Sequence, residues 1–326
     1  MKKIQSKKII ATNLGGISNR IKCLISMWKL GDRYRRELIL YWPLNHTCGA
    51  NFSDLFENDI KQINEEQLKT IRNKEMGLFG DNFLTIQNSS KKYIISGTWR
   101  FLLTQEELRN NSFLNEKRDY GEKGLDFNFS DVPEEIKKEI LIYLKQLNPL
   151  KSIQKEINNF EKKYNLKKTI GVHIRRGDFA DRKISPGRVS SDEKFIERMR
   201  ELIKENFKTK FFLCTDSKAM EDKMERIFPK KIIKFPKTSF IRTDVRATQE
   251  GLIDLFLLSK TKHILGTYRS TFNELAWWLG KCKPKIELII DSEKEKEYIK
   301  NTKKEKRRII PKIKRIILLL IGRRFL

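Results

Sequence analysis

From residue 168 onward the chain alternates short apolar runs with stretches of helical periodicity, which leaves few folds open to it. Residues 168–174, 211–214, 231–235, 263–266 and 286–290 read as strands. Between them apolar side chains recur at helical spacing: Phe195, Met199, Leu202 and Ile203, then Met220, Met224 and Ile227, then Leu252, Leu255, Phe256 and Leu258. The helix starts are marked as well. Ser190-Ser-Asp-Glu193 has the spacing of a capping box, and Asp216-Ser217, Thr248 and Ser270 are placed to cap the helices that follow. Gly280 stops the last of these. Strands that alternate with helices at this spacing imply a parallel sheet built by right-handed crossovers.

The first half opens in the same way. Residues 8–11 read as a strand, Asn13-Leu-Gly-Gly-Ile-Ser18 as a glycine-containing loop, and Asn19 as the start of a helix with Ile21, Leu24, Ile25 and Trp28 on one face. Residues 37–41 and 93–96 are further strands, while the rest of 51–130 mixes polar and aromatic segments without a clear period. Pro133 starts a helix carrying Ile136, Ile140, Leu141 and Leu144, and another runs through Ile153, Ile157 and Phe160. A chain of 326 residues suggests two domains or one large one. The expected division is an N-terminal α/β domain over 1–150, a Rossmann-like domain over 151–300 and a basic tail over 301–326.

The net charge of +27 favours anionic partners: nucleic acid, phosphorylated substrates or an anionic membrane surface. Lysine used only as a solubilising surface residue would give the same balance. Cys23, Cys48, Cys214 and Cys282 form no C-x-x-C pair, and His46, His173 and His263 are the only histidines, so neither a zinc site nor a disulfide framework is expected. A reducing compartment fits. The apolar run Ile9-Ile-Ala11 is too short for a signal-peptide core, and no stretch reaches the 18 or so apolar residues of a spanning helix.

The chemistry concentrates in Gly171-Val-His-Ile-Arg-Arg-Gly-Asp178. An imidazole, two guanidiniums and a carboxylate at the end of a buried strand are costly unless something binds there. Arg matches phosphate with a rigid fork, and ligands of open α/β sheets sit beyond the carboxyl ends of strands. A surface ion-pair cluster at a turn is the plainer alternative. The Gly15-Gly16 loop between a strand and a helix would let backbone N–H groups approach a phosphate, although tight turns use Gly-Gly for shape alone. It is neither G-x-G-x-x-G nor a Walker A loop, so no dehydrogenase or kinase follows.

Asp254, within Leu252-Ile-Asp-Leu-Phe-Leu-Leu258, must be buried or pocket-lining and needs donors. A guanine offers two of them, N1–H and the 2-amino group, and a nearby Lys would serve equally. Thr267 and Ser270 in Thr267-Tyr-Arg-Ser-Thr271, and Thr215 and Asp216 in Cys214-Thr-Asp-Ser217, end two strands. Their polar side chains could hold a pyrophosphate or simply cap helices.

In four segments the chain resembles the fucosyltransferase superfamily, which joins bacterial α-1,2 enzymes, α-1,6 enzymes of the nodulation type and protein O-fucosyltransferases. The segments are Gly15-Gly-Ile-Ser-Asn-Arg20, His173-Ile-Arg-Arg-Gly-Asp178, Cys214-Thr-Asp-Ser217, and Gly251-Leu-Ile-Asp254 continuing to Ser270. The resemblance implies an α/β enzyme of GT-B type, two Rossmann-like domains facing a cleft, that inverts the anomeric carbon of GDP-fucose without metal or other cofactor. Under it His173 and Asp254 contact the nucleoside end. Arg175 binds the β-phosphate, Arg176 and Asp178 support it, and Ser270, Thr267, Thr215 and Asp216 line the donor site. Gly16, Asn19 and Arg20 reach in from the first domain.

One departure bears on the acceptor. Where the α-1,6 enzymes carry a glutamate proposed as base, this chain has Lys183, which leaves Asp178 and Asp181 as alternatives and the base unassigned. From Lys303 onward the chain is strongly basic, with Ile309, Ile310, Ile313, Ile316, Ile317, Leu320 and Ile321 on one helical face. Such a helix reads as a membrane-surface binder or as a return helix packed on the first domain. The expectation is a cytoplasmic glycosyltransferase, peripheral on the inner face of the membrane and building a surface glycan on a lipid-linked acceptor. The same fold with another nucleotide sugar, or a nucleic-acid-binding protein without an RNP motif, are the alternatives.

Overall fold

The computed structural model describes residues 7–74, 78–79, 92–98, 101–102, 132–177 and 186–302. The first half supplies β1 (Lys8–Ala11), α1 (Ile17–Arg33), β2 (Glu37–Leu40), α2 (Glu65–Lys74), β3 (Leu78–Phe79) and β4 (Tyr93–Ser96). Its four strands are parallel, in the order β2-β1-β4-β3. Helices α3 (Glu134–Gln146) and α4 (Lys151–Lys163) then lead to β5 (Ile170–Ile174), α5 (Asp192–Glu205), β6 (Phe211–Thr215), α6 (Lys218–Ile227) and β7 (Ile232–Ile233). Helix α7 (Val245–Leu258), β8 (His263–Thr267), α8 (Thr271–Leu279) and β9 (Lys285–Ile289) complete the second half. Its five strands are also parallel, in the order β7-β6-β5-β8-β9. The chain is therefore α/β of GT-B type. In each sheet the order reverses beside the first strand, so the loops after β1 and β5 open into a crevice.

The central strands are buried along their length, which is why they read as continuous apolar runs. Gly171 in β5 is required by packing. A Cβ there would sit 2.5 Å from Leu258 Cδ1 and 2.7 Å from Thr261 Oγ1, where the end of α7 crosses the strand. One apolar cluster joins Ile9 and Leu24 of the first half to Leu252 and Trp278 of the second. Phe101 meets Trp278 edge-on at 5.1 Å. Gly49 lies so close to the Thr243 backbone that no side chain would fit.

Several local expectations need correction. Helix α1 begins at Ile17, two residues before Asn19, with Gly16 in extended conformation as its cap. Ser191, not Ser190, caps α5, accepting from Lys194 N. The Ser190 hydroxyl instead donates to Ile289 O and accepts from Tyr268 N. Asp244 caps α7 by accepting from Ala247 N, so Thr248 falls in the first turn. Ser270 sits at the cap of α8 without a side-chain capping bond. The strand expected over 231–235 shortens to Ile232–Ile233.

Candidate active site

The site is built at the end of β5. Thr267, at the end of neighbouring β8, clamps the chain there: its hydroxyl donates to His173 O at 2.9 Å and accepts from Arg175 N at 2.9 Å. Asp216, just past β6, fixes the next turn. Its Oδ1 accepts from Arg176 N at 2.8 Å and Gly177 N at 3.1 Å, and its Oδ2 pairs with Arg175 Nε at 3.1 Å. Burial opposes the Asp216 carboxylate, but Arg175 and the two backbone donors outweigh it and lower its pKa. Arg175 is thus held in one pose by a carboxylate that is itself held by the backbone.

Arg176 points elsewhere. It donates to Asp192 Oδ1 at 2.8 Å and to Ser190 O at 2.7 Å, tying the motif to the start of α5. His173 is buried and stacks on Phe272, with ring centroids 4.6 Å apart and planes 17° apart. Burial first, then Arg175, push its pKa down to about 3, so the imidazole is neutral. The Asn273 amide is assigned with its nitrogen toward His173 Nδ1 (3.1 Å) and Ser270 O (3.0 Å), which satisfies every partner. Nδ1 is then an acceptor and the ring proton lies on Nε2.

Two helices end on the same cleft. Helix α1 starts just after its cap Gly16 and α8 just after Ser270, and the first turn of each carries backbone N–H groups without intrahelical partners. Arg269, just before α8, adopts a left-handed φ of 55° and lays its guanidinium over the rings of Tyr268 (5.5 Å) and Tyr298 (5.8 Å). At another part of the cleft Asp254 of α7 is 3% exposed. Its Oδ2 pairs with Lys237 Nζ at 2.7 Å, while its Oδ1 is buried without a hydrogen-bond partner. Burial drives the Asp254 pKa up to about 6 despite Lys237. Burial works against the Lys237 ammonium too, but Asp254 beside it outweighs that and raises its pKa.

These groups surround one cavity of about 610 Å³ between the two sheets, within the range of small-ligand sites. Gly16, Asn19, His173, Arg175, Thr215, Asp216, Asp254 and Ser270 line it, as expected from the sequence. Three expected contacts do not belong to its wall. Arg20 is buried beneath the glycine loop, donating to Gly15 O and Pro43 O at 2.7 Å each and stacking over Trp42. Arg176 faces α5, and Thr267 spends its hydroxyl on β5. In this structure all three brace the site. Asp178, Asp181 and Lys183 lie outside the described residues.

Sequence reasoning missed Lys237, Arg242 and Arg269, which also line the cavity. Among 69 lysines and arginines nothing marked them out. Among the described residues no group of three or more His, Cys, Asp or Glu is placed to hold a metal ion.

Two parallel α/β sheets facing a cleft, with a held guanidinium at a strand end and two helix N-termini aimed inward, define a glycosyltransferase of GT-B type. The profile of glycosyl transferase family 11 matches residues 132–309, and the chain belongs to that family. No curated protein sequence matches it significantly. Solved structures share the fold. The NodZ α-1,6-fucosyltransferase soaked with GDP-fucose aligns over 84% of this chain and 92% of its own, with a TM-score of 0.51 and 18% identity. NodZ from Bradyrhizobium without a named ligand gives a TM-score of 0.50 at 17% identity, over 83% and 93%. A mutant of Arabidopsis thaliana FUT1 in complex with GDP gives 0.55 at 13% identity, over 87% of this chain and 70% of that one.

Proposed function

We propose that the chain transfers fucose from GDP-fucose to a glycan, inverting the anomeric centre without a metal ion. The observation that carries this is the joint placement of Arg175, neutral His173 and the α8 N-terminus on one wall, with the unsatisfied Asp254 carboxyl oxygen in the same cleft. The donor diphosphate would lie against Arg175 and the α8 N–H groups, with His173 and Asp254 at the nucleoside end. As the glycosidic bond breaks, negative charge grows on the leaving GDP. A fixed guanidinium and fixed dipoles stabilise that charge without reorganising, the work a cation does in other transferases. The base would sit at the Asp254 end. That the similar folds of NodZ and FUT1 are seen with GDP-fucose and GDP supports this donor.

No described helix is long and apolar enough to cross a membrane. We assign the basic segment beyond residue 303 to anionic lipid at the cytoplasmic face, which would bring the cleft to a lipid-linked acceptor of a surface glycan. The division at residue 150 belongs to the same reading, with the donor held by the second half.

A thermal-shift panel tests the donor, because a ligand that binds only the folded state raises its melting temperature. GDP and GDP-fucose should stabilise the chain well beyond UDP, ADP or their sugars. Product NMR with the best donor should show an inverted anomeric centre. Equal stabilisation by UDP would overturn the guanine reading, and preference for another GDP-sugar would reassign the donor sugar.

A further inference from the structure

Lys237 is the least expected group in the cleft. It follows β7 by a few residues, in Phe235-Pro-Lys-Thr238, yet only 7% of its side chain is exposed. Its ammonium has three N–H bonds to place. One goes to Thr215 O at 2.6 Å and one to Asp254 Oδ2 at 2.7 Å. The nearest other acceptor, Glu221 Oε1, lies at 3.7 Å, too far for a good hydrogen bond. Glu221 itself is paired at 3.0 Å with Lys234. Beside this ammonium the buried Oδ1 of Asp254 and the hydroxyl of Thr215 both lack partners. The cleft therefore presents, side by side, an open acceptor on a carboxylate and a donor on an ammonium.

That order matches one purine edge and opposes the other. Guanine offers donors at N1 and N2 next to an acceptor at O6. Adenine offers an acceptor at N1 next to a donor at N6. Uracil offers guanine's N–H and C=O pair from a shorter ring without the second donor. We infer that Lys237 reads the O6 carbonyl of guanine while Asp254 Oδ1 takes the N1 and N2 protons, so that the pair rather than the carboxylate alone selects the base. This rests on the GDP-sugar reading above and goes beyond it in naming the residue that recognises O6.

The test is titration calorimetry on the full chain at neutral pH with GDP, IDP, ADP, UDP and thio-GDP, in which sulfur replaces O6. Sulfur is the poorer acceptor but leaves N1–H and N2 in place. The native protein should bind thio-GDP about tenfold more weakly than GDP, the scale of one weakened hydrogen bond to a charged group. In Lys237→Met that penalty should vanish; GDP and IDP should both bind more weakly there, because Asp254 loses the ammonium that keeps it ionised, so the ratio of thio-GDP to GDP is the readout. If Lys237→Met does not fold, Lys237→Gln keeps a neutral donor and should show a reduced penalty. A thio penalty unchanged in the variant would overturn the inference and leave Lys237 only as the partner of Asp254. So would the absence of any penalty in the native protein. Equal binding of GDP and UDP would instead overturn the donor reading itself, a result the thio comparison cannot mimic.

Discussion

Lys22 of α1 and Glu274 of α8 form an ion pair that is 0% and 1% exposed, one turn or so below the two helix N-termini that face the cleft. Lys22 also lies over the Phe101 ring at 5.3 Å. The pair ties the wall built by the first half to the wall built by the second.

Removing either partner takes the compensating charge away from a buried ionic group. Lys22→Met or Glu274→Gln should each lower unfolding free energy by about 3–5 kcal/mol, whereas Lys22→Met with Glu274→Leu should recover much of it. Urea titrations of the three variants measure this. Single variants as stable as the native chain would mean that the pair is not buried in solution.

Arg175 should matter to turnover and not to folding. Arg175→Ala is expected to lower kcat by roughly 10²–10³, the scale seen when one preorganised charge donor is lost. Asp216→Asn should lower kcat less, because Arg175 remains but loses its brace. Steady-state kinetics with an unchanged circular dichroism spectrum would support this. Normal turnover in Arg175→Ala would remove Arg175 from the mechanism.

The base end of the cleft should respond to pH. The Asp254 carboxyl titrates in the free protein near its pKa of about 6, and guanine donors need the ionised form. Donor affinity should therefore be flat above that value and fall as pH drops below it, by at most about tenfold per unit. Asp254→Asn should bind weakly at every pH, without the slope. A native affinity independent of pH between 5 and 7 would contradict this.

His173 gives a stability profile of the opposite origin. Its folded pKa of about 3 lies below the ordinary imidazole value of about 6.5, so the unfolded chain binds the proton first. The contribution is fully present above 6.5 and is lost as pH falls toward 3, at about 1.4 kcal/mol per unit. His173→Gln should flatten that part of a pH–denaturation curve, and an unchanged slope would assign the loss to other groups.

The tail makes a separable claim. Ending the chain before Lys303 should abolish sedimentation with anionic vesicles and leave GDP binding intact, and added salt should weaken the native interaction. A truncated protein that no longer folds would show the tail to be a packed return helix.

Periodicity made the second sheet legible because its three central strands are buried along their length and its helices are amphipathic. What escaped it depends on contacts between distant segments. Ser190 and Glu193 have ideal capping spacing, yet the Ser190 hydroxyl is drawn to Ile289 O and Tyr268 N, and Ser191 caps instead. Arg20 and Arg176 sit in motif positions, but the backbone carbonyls that claim them come from loops no local pattern reveals. Lys237 looks like any surface lysine until α7 places Asp254 against it. The Asp254 environment, by contrast, was readable, because the apolar run Leu252-Ile-Asp-Leu-Phe-Leu-Leu258 marks the carboxylate as buried or pocket-lining.

The apolar cluster that runs from Ile9 through Leu24 to Leu252 and Trp278 has a consequence for how the molecule comes apart. Two halves joined through one large shared apolar cluster should not melt independently. Heating should produce one cooperative transition, with calorimetric and van't Hoff enthalpies in agreement. Severed near residue 150, each half would expose the face that the other covers, and neither fragment would remain soluble alone.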